Sequence, residues 1–203
     1  MQRTVFLDKD GTIIPDIPYN VDPALISLYP EAGPALQKLQ QAGYQFVVVS
    51  NQAGVARGYF TEDALPAVFA KLNELLAPFN VRLAAWYYCP NHPDGTVTPY
   101  AIRCGLRKPE PGMLLQAARE HDIDLGESWM IGDILNDVEA GNRAGCRSIL
   151  VDRGNETEWK PGPHREPLAT VRDLAEASDL ILSAGPPNSR VIDKPAVGYL
   201  YKS

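Results

Sequence analysis

Short apolar runs alternate with amphipathic stretches from one end of the chain to the other. The runs Thr4–Leu7, Gln45–Val49, Leu83–Tyr88, Trp129–Ile131 and Ser148–Val151 predict strands, with a weaker sixth at Leu180–Leu182. Between them the spacing predicts helices over Pro34–Gln41 with Gly43 as its stop, Glu62–Ala77 after the N-cap candidate Thr61, Gly112–His121, Leu135–Ala144 with Gly145 as its stop, and Val171–Ala177. Strands and helices in this order imply an α/β fold, a Rossmann-like three-layer α/β/α sandwich with a mostly parallel sheet and right-handed crossovers. In such a sheet ligands bind outside the carboxyl ends of the strands. Asp8, Ser50, Cys89 and Asp133 each stand at or just after such an end.

Two segments break the alternation: 89–111, rich in Pro and Gly, and Arg153–Pro167, rich in charge and Pro. Long irregular loops inside compact domains tend to be functional or mobile. No internal repeat is evident. The simplest division is one domain over 1–183 carrying the loop insertion 89–111, followed by a patternless tail over 184–203.

Composition narrows the class. A chain of 203 residues, 45% hydrophobic and 22% charged, is long enough to bury a substantial core and has the balance of a soluble globular protein. Its net charge of −6 argues against broad binding to nucleic acid or to an anionic membrane, both of which attract basic surface. No apolar run approaches the roughly 20 residues that span a bilayer. The N-terminus enters a strand pattern without a charged leader, so a cytoplasmic location is expected. Cys89, Cys104 and Cys146 are an odd number, which suggests reduced thiols rather than a disulfide framework.

The chemistry gathers at the strand ends. In Thr4–Ile14, "TVFLDKDGTII", an apolar strand runs into Asp8 and Asp10, whose alternate positions point to one side and whose charges repel. A hard divalent cation such as Mg²⁺ would offset that repulsion, leaving Asp8 as a nucleophile and Asp10 as a general acid/base. The plain alternative is a capped turn at a strand exit. "VVVSNQAG" puts Ser50 and Asn51 after the second strand, where hydroxyl, amide and backbone N–H groups suit phosphate oxygens; otherwise they form a Ser/Asn turn. "LRKPEPG" puts Arg107 and Lys108 before a helix, as cations for a transferring phosphoryl group or as a solvated basic pair. "WMIGDILND" sets Asp133 after the fourth strand and Asp137 four residues on, for metal ligation or its support, or as a helix cap. Their shared placement at strand ends is worth more than any one of them.

"DKDGT", "SNQ", "RKP" and "GDILND" resemble the four motifs of the haloacid dehalogenase (HAD) superfamily of phosphohydrolases, and span the chain from about residue 4 to 151. Within it, "FLDKDGTI", "VVVSNQAGVARG", "YYCPNHP" and "RKPEPGM" resemble the subfamily of heptose bisphosphate 7-phosphatases and histidinol phosphatases. The resemblance implies a HAD-like fold without a large cap domain and a Mg²⁺-dependent phosphomonoester hydrolase working through an aspartyl-phosphate. It implies that Asp8 is the nucleophile and that Asp10 protonates the leaving alcohol and then activates water. Mg²⁺ would be held by Asp8, the Asp10 carbonyl and Asp133, with Asp137 as support. Ser50 and Lys108 would bind the phosphoryl oxygens; Asp16, Tyr19, Asn51, Gln52, Arg57 and Arg107 would meet the rest of a small phosphorylated metabolite. The expected substrate is a small sugar phosphate such as D-glycero-D-manno-heptose 1,7-bisphosphate, with histidinol phosphate or another small ester as alternative. The chain is expected to act as a monomer, or a homodimer, without nucleic acid or membrane.

Two departures stand out. Relatives carry a structural zinc bound by Cys-x-His and Cys-x-Cys in the 89–111 loop, but here Asn91 and Leu106 occupy two of those positions. Cys89, Cys104 and, one place further on, His92 make a set one ligand short of a closed site, so no zinc is expected. A lysine that follows the metal aspartate in several relatives is replaced by Ile134, which removes a cation from the pocket. His121 reads as a residue at a helix C-terminus, His164 as solvated, Cys146 as a small core residue, and Trp86–Tyr88 as strand packing. A polynucleotide 3′-phosphatase is disfavoured by the acidic balance. A non-catalytic phosphate sensor is disfavoured because Asp8, Asp10, Lys108 and Asp133 are all present.

Overall fold

The computed structural model of the protein describes residues 1–185. Six strands, β1 (Thr4–Leu7), β2 (Gln45–Asn51), β3 (Leu83–Cys89), β4 (Trp129–Gly132), β5 (Arg147–Val151) and β6 (Ala169–Val171), form one sheet in the order β3-β2-β1-β4-β5-β6. Every neighbouring pair is parallel. The helices are α1 (Ala32–Gln41), the single turn α2 (Ala53–Ala56), α3 (Leu65–Leu76), α4 (Gly112–Glu120), α5 (Leu135–Ala144) and α6 (Leu174–Ala184).

Alternate residues of the strands feed two cores. Val5, Leu7, Phe46, Val48, Ile131 and Ile149 pack with α1, α3 and α6; Phe6, Val47, Val49 and Met130 pack with α4 and α5. Burial on both faces is why the strands read as continuous apolar runs. The chain moves outward from β1 through β2 to β3, then returns to lay β4 on the other side of β1. That reversal opens a crevice at the carboxyl ends of β1, β2 and β4, which is where such sheets place their sites.

The expected sixth strand is a helix. Leu180–Leu182 lies inside α6, and the sixth strand is Ala169–Val171, so the helix expected over Val171–Ala177 begins later and runs further. A short apolar run cannot by itself distinguish strand from buried helix. The decisive features are Asp173, whose side chain accepts from Glu176 N–H, and the buried face of Leu174, Ala177, Ser178 and Ile181 at helical spacing. The helix expected over Glu62–Ala77 is likewise interrupted, with 3₁₀ turns at Glu62–Ala64 and Ala77–Phe79 around α3, and Thr61 makes no side-chain cap. Pro66 accounts for the start: it has no N–H for a helix already under way but fits its first turn. β2 runs two residues beyond its expected end, so Ser50 and Asn51 are its last residues.

The 90–111 segment has no helix or strand, but it is stitched down: Thr96 and Val97 N–H donate to Ala56 C=O at 2.7 and 2.9 Å, and His92 N–H to Tyr100 C=O at 3.1 Å. In the loop after β5, Glu156 accepts from the backbone N–H of Leu135, Glu158 and Trp159, which ties the loop to the start of α5. Ala184 belongs to α6, and the rest of the expected tail, from 186 on, lies outside the described residues.

Candidate active site

Parallel pairing carries the acidic groups to one place. Asp8 follows β1 and its N–H still donates to Ile131 C=O of β4 at 2.9 Å; Asp133 follows β4, and Asp137 sits in the first turn of α5. One carboxylate oxygen from each of Asp8, Asp133 and Asp137 lies within 4.8 Å of the other two. They share a cavity of about 340 Å³ with Asp10, Asp16, Tyr19, Ser50, Asn51, Gln52 and Lys108. Gly11 and Gly132 let the backbone close in: Gly11 has φ +79°, and a methyl there would overlap the Asp133 carboxylate, while one at Gly132 would overlap Asp137.

Lys108 supplies part of what offsets the repulsion. Its buried ammonium lies 2.5 Å from Asp8 Oδ1, 2.6 Å from Asp137 Oδ1 and 2.8 Å from Val49 C=O. Burial alone would lower its pKa, but the Asp137 and Asp8 charges outweigh that and raise it. One ammonium cannot neutralise three carboxylates. Burial, reinforced by Asp8 and Asp137, pushes Asp133 well above the usual carboxylate range, and burial also raises Asp137 although Lys108 pulls it back. Buried hard oxygens with excess negative charge are the donor set a divalent cation such as Mg²⁺ requires, so the residues fit the metal the sequence implies.

Asp10 stands apart from this cluster, paired with Lys9 Nζ at 2.5 Å. Burial raises its pKa to about 6, with Lys9 pulling down and Asp8 pushing up. Ser50 Oγ accepts from Gln52 Nε2 at 2.7 Å, which leaves its own O–H free to donate to an anion. Asn51 is a brace: its Oδ1 accepts from Lys108 N–H and its Nδ2 donates to Lys108 C=O, both at 3.0 Å. Tyr19, at φ +57°, meets Tyr59 edge-on.

Arg57 and Arg107 do not line this cavity. Arg107 lines a neighbouring one of about 630 Å³, which also reaches Lys108, His92 and Arg103, and its pKa is lowered by burial and by the charge of Arg57. Cys89, His92 and Cys104 do not come together as a metal group; among the described residues, Asp8, Asp133 and Asp137 are the one such group. His92 Nδ1 already accepts from Asp94 N–H at 3.0 Å. Burial pushes the Cys89 thiol up to about 11.

Two residues escaped sequence reasoning. Asn155 Nδ2 donates to Asp133 Oδ2 at 2.8 Å and lines the cavity; it lies in the irregular loop after β5, beyond the strand-end positions that flagged Asp8 and Asp133. Lys9 gave no separate signal, because a lysine one residue from an aspartate is commonplace.

Comparison with known proteins decides the family. A protein of Mesorhizobium japonicum named D-glycero-beta-D-manno-heptose-1,7-bisphosphate 7-phosphatase is 43% identical over 87% of this chain and 80% of its own length. The chain belongs to this family of HAD phosphatases. The D-glycero-D-manno-heptose-1,7-bisphosphate 7-phosphatase of Thermosynechococcus vestitus is 37% identical over 87% of this chain and 94% of that protein. The crystal structure of D,D-heptose 1,7-bisphosphate phosphatase from B. bronchiseptica, complexed with magnesium and phosphate, superposes with TM-score 0.77 and 33% identity over 90% of this chain and 99% of that one. The HAD-hydrolase-like family model matches residues 105–177. The protein is therefore a phosphatase with a HAD-like fold. Among its described residues no helix is long and apolar enough to cross a membrane.

Proposed function

We propose that this phosphatase removes the 7-phosphate of D-glycero-D-manno-heptose 1,7-bisphosphate in a Mg²⁺-dependent reaction through a phosphoryl group carried on Asp8. The observation that supports it most is the set of three buried carboxylates closing on one point with Lys108 between them. Asp8 and Asp133, with the Asp10 carbonyl and Asp137 beside them, would hold the ion, which when bound draws negative charge from the phosphoryl oxygens. Lys108 and the Ser50 hydroxyl orient the phosphoryl group by charge and hydrogen bonding, the main contribution a protein makes to such a transfer. Asp8 attacks phosphorus as Asp10 gives its proton to the leaving alcohol. Asp10, now a carboxylate, takes a proton from the water that releases phosphate from Asp8. Asp16, Tyr19, Gln52, Arg57 and Arg107 surround the rest of the substrate, on a single cap-less domain over 1–183 that works in the cytoplasm.

A phosphate-release screen over heptose 1,7-bisphosphate, other sugar phosphates and histidinol phosphate tests the reading. The expected result is the highest kcat/KM on the heptose bisphosphate, strictly dependent on Mg²⁺. A higher kcat/KM on histidinol phosphate would move the substrate assignment, and activity in excess chelator would remove the metal from the mechanism.

A further inference from the structure

We infer that Lys9, between the two aspartates, is a positioning residue that locks the carboxyl group of Asp10 for proton transfer. Its side chain is 2% exposed, and its ammonium has one ion-pair partner among the described residues, Asp10 Oδ1 at 2.5 Å. The backbone of Lys9 is fixed as well, since its carbonyl accepts from the N–H of Ile13 and Ile14 at 3.0 and 3.2 Å. A buried ammonium is costly unless it is paired, and an apolar side chain would fill the same space without that cost. What lysine adds is a grip on Asp10. Asp10 faces the cavity near two other carboxylates, Asp8 and Asp16, which repel it. With Oδ1 tied to Lys9, the carboxyl cannot turn away, and Oδ2 is the oxygen left to meet the leaving alcohol. A proton donor displaced by about an ångström loses much of its effect.

This role rests on the proton transfer assigned to Asp10 above, so the test carries both variants. Lys9→Met, Lys9→Arg and Asp10→Asn are compared by kcat/KM on heptose 1,7-bisphosphate, whose leaving alcohol needs a proton, and on 4-nitrophenyl phosphate, whose leaving group does not. Lys9→Met is expected to lose about 10²-fold on the heptose ester and less than about fivefold on the aryl ester, within the range of general-acid effects. Lys9→Arg, which keeps the cation, should recover most of the loss. Equal losses on both esters, or no loss on either, would overturn the role of Lys9. If Asp10→Asn itself shows no leaving-group dependence, the proton-transfer assignment fails instead. Should Lys9→Met not fold, Lys9→Gln, with a neutral donor of similar reach, carries the same comparison: intermediate selective loss supports the inference and uniform loss contradicts it.

Discussion

At the floor of the pocket Asp8, Lys108, Asp133 and Asp137 are all less than a tenth exposed and stand on strand ends, a braced loop residue and a helix start; at the rim, Tyr19 is 46% exposed and Arg107 sits on a segment without regular structure. Floor residues are held by backbone pairing that continues from the sheet, as in the Asp8 N–H to Ile131 C=O bond, and by side-chain braces such as Asn51 on Lys108. At the rim, among the described residues, there is no such pairing: Tyr19 meets Tyr59 edge-on, and Arg107 Nη1 donates to Asn91 C=O at 3.4 Å. Under the proposed function the floor would set where phosphorus reacts, and the rim which molecule brings it there. Damage to the floor should strike kcat, and damage to the rim should strike KM.

The largest effect is expected from Asp8→Asn, which should lower kcat by about 10⁴-fold or more, as loss of a nucleophile does; steady-state phosphate release measures it, and near-normal turnover would break the comparison at its centre. Lys108→Met comes next, with kcat down about 10²- to 10³-fold. It should also lower the Tm of chelated protein, because it leaves three carboxylates facing one another without their cation, and breaking a buried pair typically costs about 3–5 kcal/mol.

Asp8 and Asp133 were legible in the sequence because they follow apolar runs at strand ends, and β1 and β4 appear where those runs are; Lys108 and Asp137 were legible only from the short motifs around them. The braces of the floor were not. The resemblance made Asn51 and Gln52 substrate ligands, yet much of their hydrogen bonding goes to Lys108 and Ser50, which depends on contacts across the fold. Asn155 reaches Asp133 across 22 positions from an irregular loop, and no local pattern announces that. The β6 and α6 region was misread because "DLILS" suits either state, and the Asp173 cap, not the apolar run, decides it. Arg57 and Arg107 were expected to meet the rest of the substrate; neither lines the cavity of the carboxylates, and Arg107 opens onto a neighbouring one that shares Lys108 with it.

Smaller effects sharpen the contrast. Adding Mg²⁺ to chelated protein should raise Tm, equivalent to about 2.7 kcal/mol when the free ion is at a hundred times its Kd; calorimetry reads it, and the shift should vanish in Asp133→Asn. At the rim, Arg107→Ala should raise KM for heptose 1,7-bisphosphate about tenfold with kcat little changed, an order expected for one lost charge-assisted contact. The same variant should leave 4-nitrophenyl phosphate unaffected. A fall in kcat on both substrates would mean that Arg107 belongs to the floor.

The central claim is that Asp8 carries the phosphoryl group. Rapid acid quench of a single turnover of heptose 1,7-bisphosphate labelled in its 7-phosphate, followed by mass spectrometry of the peptide spanning Thr4–Ile14, tests it directly. The account predicts transient label on Asp8, longer-lived in Asp10→Asn protein; label on another residue, or none at any time while phosphate is released, would contradict it.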